Sequence, residues 1–446
     1  MIEGRTIQQV ASSDKVTIPK NAIVLDASGF TVMPGLINSN GHISLSPLYP
    51  GPATDFPLAE LQRRWKEMGD GAEERAYIAL MQGVTTMRHT GGSYRPANVP
   101  AVKKKIDAGE IPGPRLFFSG GLLTSEAAFR SYIKENHTPA ESLDYVRNEW
   151  VFHVIEDVDR DLQPILSDEF SYWKLRFDDA PFDGKNDFTD AQIERIIEIA
   201  RKHGKKIDVH ANDSNAGFRR LLKFDIDSIE HPFADDYLLD EDILEGYAEK
   251  GVIGVSLIVT RTVRSDLARD PNRLSETDFI MSTTPEHYRT LMAYRDKMLF
   301  NKRNPDLAGL PIYQPNMSQS DMFGQSGPSL NQQLTQGETV RENVRRWLKA
   351  GVRLAMGTDG TTFLNFQQLA PEATEMMTMV KLGMTPMDTI ISATRTGAEL
   401  LGMLDRLGTI ESGKLADVIV VEGDPLTDMA AMRRVAFVVK DGIRFK

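Results

Sequence analysis

The stretch Thr189-Asp190-Ala191-Gln192-Ile193-Glu194-Arg195-Ile196-Ile197-Glu198-Ile199-Ala200-Arg201-Lys202-His203-Gly204-Lys205-Lys206-Ile207-Asp208-Val209-His210 holds a complete structural repeat. Thr189 is a good helix N-cap, and Gln192 three residues on completes a capping box. Ile193, Ile196, Ile197 and Ala200 then fall on one stripe of period 3.6, which predicts a helix with a single buried face. Gly204 ends it. The apolar run Lys206–His210 follows as a strand, with His210 left at its C-terminal end. The same order recurs in Glu338 to Ala350, Gly351, Val352–Gly357 and then Asp359. Helix, glycine, buried strand and a polar residue at the strand end make the repeat of a parallel barrel, whose active site lies on that face.

Eight strand candidates extend the pattern: Thr31–Asn38, Val84–His89, Arg115–Ser119, Tyr172–Phe177, Lys206–His210, Ser228–His231, Val252–Val259 and Val352–Gly357. The expected fold is α/β, a distorted TIM (β/α)8 barrel over residues 31–404. Both chain ends read differently. Residues 1–30 and 405–446 carry short apolar runs such as Val418–Val421 and Val435–Val439. Neither end makes a core alone, so they are expected to combine into a small β-sandwich beside the barrel. Residues 260–336, long and polar before the last barrel strand, are expected to form a lid over the strand ends. Its Tyr288, Met292, Tyr294, Met298, Phe300, Tyr313 and Phe323 would suit an apolar substrate or would pack the insert onto the barrel. Ile2-Glu3-Gly4-Arg5-Thr6-Ile7 looks like the middle of a hairpin, so the native start is expected upstream.

The 446 residues can bury a large core. The net charge of −11 is dispersed rather than confined to a tail, which argues against nucleic acid or an anionic membrane as partner. With no cysteine in the chain, disulfides and thiolate sites are excluded, so any metal must rest on His, Asp, Glu or Lys. No apolar run reaches the roughly 18 residues of a membrane span, and no signal peptide opens the chain. A cytoplasmic enzyme with a small-molecule substrate is the expectation.

The strand ends deliver a convergent set of side chains. In Val32-Met33-Pro34-Gly35-Leu36-Ile37-Asn38-Ser39-Asn40-Gly41-His42, Asn40 and His42 lie two apart and share one face of a strand. Two histidines there would form a metal pincer, but an asparagine amide is a poor ligand for a transition metal. Lys174, His210, His231 and Asp359 stand at the ends of later strands, and His89 closes the second. Singly, each has an ordinary reading: a hydrogen-bonded histidine, a surface lysine, a helix-capping aspartate. Together on successive strand ends they point to a metal. Imidazole and carboxylate donors suit zinc, cobalt or manganese, which would make water nucleophilic near neutral pH. His137, His153 and His287 fall in polar, loop-like sequence, and His203 sits at a helix C-terminus where a cation is favoured.

The chain resembles the amidohydrolase superfamily. The resemblance rests on Pro34-Gly35-Leu36-Ile37, Gly83-Val84-Thr85-Thr86, Gly113-Pro114-Arg115, Val209-His210-Ala211, Ile229-Glu230-His231, Gly357-Thr358-Asp359 and the tail Leu407-Gly408-Thr409-Ile410-Glu411-Ser412-Gly413-Lys414-Leu415-Ala416-Asp417. Gly423-Asp424-Pro425 and Lys440-Asp441-Gly442 belong to the same tail signature. The resemblance implies His210 and His231 as metal ligands and Asp359 as the carboxylate that contacts the metal or its water and shuttles the proton. Lys174 takes the place where relatives may carry a carboxylated lysine between two metals. His42 is the second member of the usual His-x-His pair.

Three positions depart from the family pattern: Asn40 in that pair, Asn38 where aspartate usually stands, and His89 where many relatives have aspartate. With Asn40 in the pair one metal loses its support. One divalent ion per chain is therefore expected, held by His210, His231 and Asp359 with His42 near or on it, and Lys174 as an ordinary ammonium. The Asn-x-His variant resembles the phenylurea and thiocarbamate (molinate) hydrolase branch. The expected reaction is hydrolysis of the C–N bond of an amide, urea or carbamate, with Asp359 as general acid and base. Asn40, His42, Lys174 or His89 would stabilise the oxyanion. Two alternatives stand beside it: a dipeptidase of the same fold, with Arg88, Arg130 or Arg261 anchoring substrate termini, and a metal-free relative acting as a binding protein. A homo-oligomer is implied by the resemblance.

Overall fold

The structure, a computed structural model, describes all residues except 44–56, 91–98, 133–138, 150–151, 168–169, 178–187, 212–213, 235, 277–284, 311–328 and 360–369. Its centre is a parallel barrel of eight strands: β1 (Leu36–Gly41), β2 (Val84–His89), β3 (Arg115–Ser125), β4 (Tyr172–Phe177), β5 (Lys206–Ala211), β6 (Ser228–Glu230), β7 (Ile253–Val255) and β8 (Leu354–Ala355). Each pairs in parallel with the next, in the order β8-β7-β6-β5-β4-β3-β2-β1. Backbone bonds beyond the ladder draw the two ends together: Ser39 N–H donates to Met356 O at 2.8 Å, and Thr358 and Asp359 N–H both donate to Asn40 O at 2.9 Å. β1, β2 and β4 are buried at every residue, as strands covered on both faces must be.

The helix read from Thr189 runs over Asp190–Lys202, with the Thr189–Gln192 capping box formed and Ile193, Ile196, Ile197 and Ala200 buried. Gly204 follows in the left-handed region at φ +65°. The helix expected at Glu338 starts earlier, at Leu330, under its own Ser329–Gln332 capping box. Its Trp347 stacks on Tyr247 at 5.7 Å and meets Phe233 edge-on at 5.8 Å, fastening the sixth and seventh βα units together.

Four strand expectations change by more than a residue, and one of them, Arg115–Ser119, runs on to Ser125. Thr31–Asn38 is two strands: Phe30–Pro34 pairs antiparallel with Val418–Glu422, while Leu36–Gly41 belongs to the barrel. Gly35 is the joint between them. A Cβ there would fall 2.2 Å from the Thr85 hydroxyl, so only glycine lets the chain cross from one sheet to the other. Val252–Val259 shrinks to Ile253–Val255 because Leu257 turns left-handed (φ +53°) and starts a helix. Val352–Gly357 shrinks to Leu354–Ala355.

The chain ends meet in a four-stranded antiparallel sheet ordered Ile443–Arg444, Val435–Lys440, Val418–Glu422, Phe30–Pro34. Thr6 in the N-terminal hairpin bridges to Leu415. The segment before β8 is largely helical where described, with helices Ile258–Arg269 and Pro285–Arg303. Val263, Leu267, Leu274, Leu291, Tyr294, Met298 and Leu330 form its own apolar core. Tyr294 and Met298 are therefore packing residues, while Phe300 is exposed. Tyr313, Phe323 and His137 lie outside the described residues, as does the side chain of His287. No described helix is long and apolar enough to cross a membrane.

Candidate metal centre

Every strand end that carries chemistry in the sequence opens onto the same end of the barrel. Parallel register sets β6 beside β5, pairing Glu230 with His210, and β5 beside β4, pairing Asp208 with Lys174 and His210 with Arg176. His231 comes just past β6 at φ +53°, and Asp359 just past β8 at φ +55°. Such left-handed backbone is uncommon outside glycine, and Leu257, Ala370 and Asp441 are the other non-glycine residues that adopt it among the described residues. At His231 it also breaks the strand alternation. His210, Glu230 and His231 consequently bring one ligand atom each to within 4.8 Å of one another. The His210 and His231 rings are 4.5 Å apart, edge to face.

Asp359 joins the group from the end of β8, two strands along from β6. One carboxylate oxygen lies 3.3 Å from His42 Nε2 and the other 3.8 Å from His231 Nε2. His42 rests edge-on against His89, with 5.4 Å between centroids. Asn40 is fully buried; its carbonyl oxygen accepts from the Thr90 hydroxyl, and its Nδ2 has no hydrogen-bond partner among the described residues.

Burial holds the imidazoles of His210 and His231 well below the ordinary histidine range. For His210 the next causes are the Lys174, Arg176 and Arg261 cations, and for His231 they are His210, Arg261 and Lys174. His89 is lowered in the same way, by burial and then by His42. Neutral imidazole is the state that binds a metal. His231 Nδ1 is also buried without a hydrogen-bond partner among the described residues. The donor set thus fits a divalent ion: neutral nitrogens and carboxylate oxygens gathered at one strand-end face.

Glu230 also ties this group to three other buried titratable side chains, Arg88, Asp208 and Lys174. Arg88 is 3.1 Å from both Asp208 and Glu230, and Lys174 pairs with Glu230. Ser228 donates to Asp208, and Arg88 donates to Ser39 O at 2.6 Å. Burial pushes the Glu230 carboxyl well above its ordinary value, and Asp208 adds to the rise; Lys174 and Arg88 pull it back. Arg88 cannot reach a substrate terminus from there, and Arg130 is exposed and paired with Glu126. Arg261 remains beside the site through its effect on both imidazoles.

The sequence profile of the Amidohydrolase family matches residues 31–444. The chain belongs to the amidohydrolase family. That family generally uses a divalent metal ion, and the His210, Glu230 and His231 group is placed to hold one. Curated relatives of this amidohydrolase include 5-methylthioadenosine/S-adenosylhomocysteine deaminases. The one from Halothermothrix orenii is 27% identical over 300 residues, covering 61% of this chain and 66% of the relative. The one from Moorella thermoacetica is 36% identical over 86 residues, 18% of this chain and 20% of the relative. The chain thus aligns with less than two thirds of those relatives' lengths. Similar solved structures include a Xaa-Pro dipeptidase with bound methionine (TM-score 0.72, 23% identity, 100% of this chain and 94% of that one). Molinate hydrolase (0.69, 22%, 99% and 89%) and phenylurea hydrolase B (0.70, 19%, 100% and 92%) are others. These structural likenesses show the shared fold.

Of the positions singled out in the amidohydrolase sequence, the structure brings His42, His231 and Asp359 together and sets His210 against His231. Lys174 is tied to Glu230. His203 caps its helix as expected, whereas His153 sits in a short strand, Phe152–Ile155, bonded to Asp161 O at 2.5 Å. Sequence reasoning does not reach Glu230 and Asp208 as neighbours of the centre, and it reads Arg88 as an anchor for a substrate terminus rather than as their buried partner. Glu230 precedes His231 directly, and strand alternation would turn it to the opposite face.

Proposed function

We propose that this amidohydrolase hydrolyses the C–N bond of an amide, urea or carbamate-type small molecule, with His210, His231 and Asp359 holding one divalent ion (zinc, cobalt or manganese) and His42 beside it. The observation that carries this reading is the position of Asp359, one oxygen toward His42 at 3.3 Å and the other toward His231 at 3.8 Å. When bound, a divalent ion there supplies a Lewis acid and makes water a nucleophile near neutral pH. Asp359 accepts the proton of the attacking water and returns it to the departing nitrogen. Its side chain is about one fifth exposed, so it meets both buried histidines and the opening. Asn40 Nδ2, buried and without a partner among the described residues, is suited to donate to the developing oxyanion. Lys174 is committed to Glu230, which supports its being an ammonium in a site with one metal ion.

Asp359→Asn should lower turnover by at least about 10²-fold with an unchanged circular-dichroism spectrum. Near-wild-type activity sinks the assignment. The substrate screen sets aryl ureas, carbamates and anilides beside dipeptides and 5-methylthioadenosine, with amine and ammonia release read separately. Turnover of dipeptides alone would favour the second reading, a peptidase anchored by Arg261, which rests on that residue's place beside His210 and His231. Metal analysis of the purified protein should find about one equivalent per chain; two would overturn the single-ion site.

A further inference from the structure

Asn38 departs from the family pattern as plainly as Asn40, and the chemistry above leaves it without a task. It is 1% exposed. Its Nδ2 donates to Thr358 Oγ1 at 2.8 Å and to Glu372 Oε1 at 2.9 Å, and its Oδ1 accepts from Asn40 N–H at 3.1 Å. Both amide protons and the carbonyl oxygen are therefore used. Thr358 is the neighbour of Asp359, and the turn they share is held on other sides too. Their backbone N–H groups bond Asn40 O, and the Thr260 hydroxyl donates to Thr358 O at 3.2 Å. Glu372 opens the helix Pro371–Lys381 and is 4% exposed. An ionised aspartate at position 38 could donate neither bond. It would also set a second carboxylate against Glu372 in a buried place, a costly arrangement.

We propose that Asn38 and Glu372 are a matched positioning pair that fixes the Thr358–Asp359 turn, so that an amide is needed at 38 because a carboxylate stands at 372. The inference rests on Asp359 acting at the centre as described above. Asn38 orients the turn without touching the reacting atoms, and Glu372 holds Asn38 in the one amide orientation that serves Thr358. Burial pushes the Glu372 carboxyl above its ordinary value, while the bond from Asn38 lowers it. Loss of that donor is felt at both ends.

The test is a double-mutant cycle on the zinc-loaded full chain, using the best substrate from the screen, well below each variant's melting temperature. Asn38→Asp should lower kcat by about tenfold or more with KM within about twofold. Glu372→Gln keeps a carbonyl acceptor for Asn38 and should cost less than about threefold. In the double variant the amide introduced at 372 can donate to the carboxylate introduced at 38, and kcat should return to within about threefold of wild type. A double variant as impaired as Asn38→Asp, or a fully active Asn38→Asp, overturns the pair. If Asn38→Asp does not fold, a folded and active double variant still supports the pairing and an unfolded one overturns it. Zinc affinity by chelator competition needs no substrate and should follow the same loss and recovery. If Asp359→Asn keeps its turnover while this zinc cycle behaves as stated, the assignment of Asp359 fails and the pair stands. A flat zinc cycle with Asp359→Asn inactive overturns the pair and leaves Asp359 in its role.

Discussion

At the scale of single residues, Asn40 is where the chemistry of this amidohydrolase is most exposed to test. Its carbonyl oxygen is engaged by Thr90, its backbone carbonyl holds the Asp359 turn, and its Nδ2 has no partner among the described residues. A buried amide N–H left in that state costs stability unless something binds it. A developing oxyanion is such a partner, and it exists only as the reaction proceeds. Asn40→Ala should therefore lower kcat by about 10²-fold while KM moves little. Steady-state kinetics across the substrate range decide the matter, and a change confined to KM would make Asn40 a ground-state contact instead. The site residues legible in the sequence are those whose strand ends announce them, such as His210 after a helix, a glycine and a strand. Glu230 is not among them, because its role depends on the left-handed turn at His231, and backbone sign is not written in side-chain periodicity. Asn38 is visible as a departure, but its partner Glu372 is 334 residues away.

Among the elements, the helix Pro371–Lys381 does more than close the last βα unit. One turn after Glu372, Glu375 accepts from Ile258 N–H at 2.7 Å and Val259 N–H at 2.9 Å, satisfying the first donors of the helix Ile258–Arg269 in place of a local cap. Burial pushes the Glu375 carboxyl up to about 7, although the Val259, Ile258 and Ser256 bonds oppose the shift. The sign of the consequence follows from proton counting. Between the ordinary value of 4.5 and about 7 the folded state keeps a proton that the unfolded state has released. Stability contributed at this site therefore falls as pH rises through that window and is level above it. The span amounts to about 3 kcal/mol. Glu375→Gln removes the titration, so the gap between variant and wild type, measured by urea unfolding from pH 4.5 to 8, should move in the variant's favour by that order. A gap independent of pH would show that Glu375 stays ionised in the fold. Helix content in this region is legible only in part. The Thr189 helix declares its cap and stripe, whereas the helix Ile258–Arg269 takes its cap from a residue more than a hundred positions later.

Across the whole molecule, the alternation of helix, glycine and strand is enough to place the barrel and the end that bears the site, since parallel strands must be covered on both faces and leave their C-terminal ends open. The crossing at Gly35 is not legible, because one unbroken apolar run serves two sheets and only the approach of Thr85 shows where it turns. At the opposite end of the barrel the two sheets are joined by charge. Arg115 opens β3 and donates to Asp417 at 2.7 Å and to Asp441 at 2.8 Å, and Asp417 also accepts from the Asp441 backbone N–H at 2.9 Å. The Asp417 side chain is only 4% exposed. Removing the cation strands that carboxylate in a buried place, which costs more than the pair contributes when intact. Arg115→Met should lower unfolding stability by about 3–5 kcal/mol. Turnover should stay within about twofold of wild type, because residues at this end of a barrel support the fold rather than the chemistry. Urea unfolding and kcat measured on the same preparation separate the two effects. A large loss of kcat with stability intact would mean that the terminal sheet communicates with the site at the far end of the barrel. An unchanged urea midpoint would mean that the apolar packing between barrel and sheet, in which Ile419 and Val435 share one core with Val84, carries the joint alone.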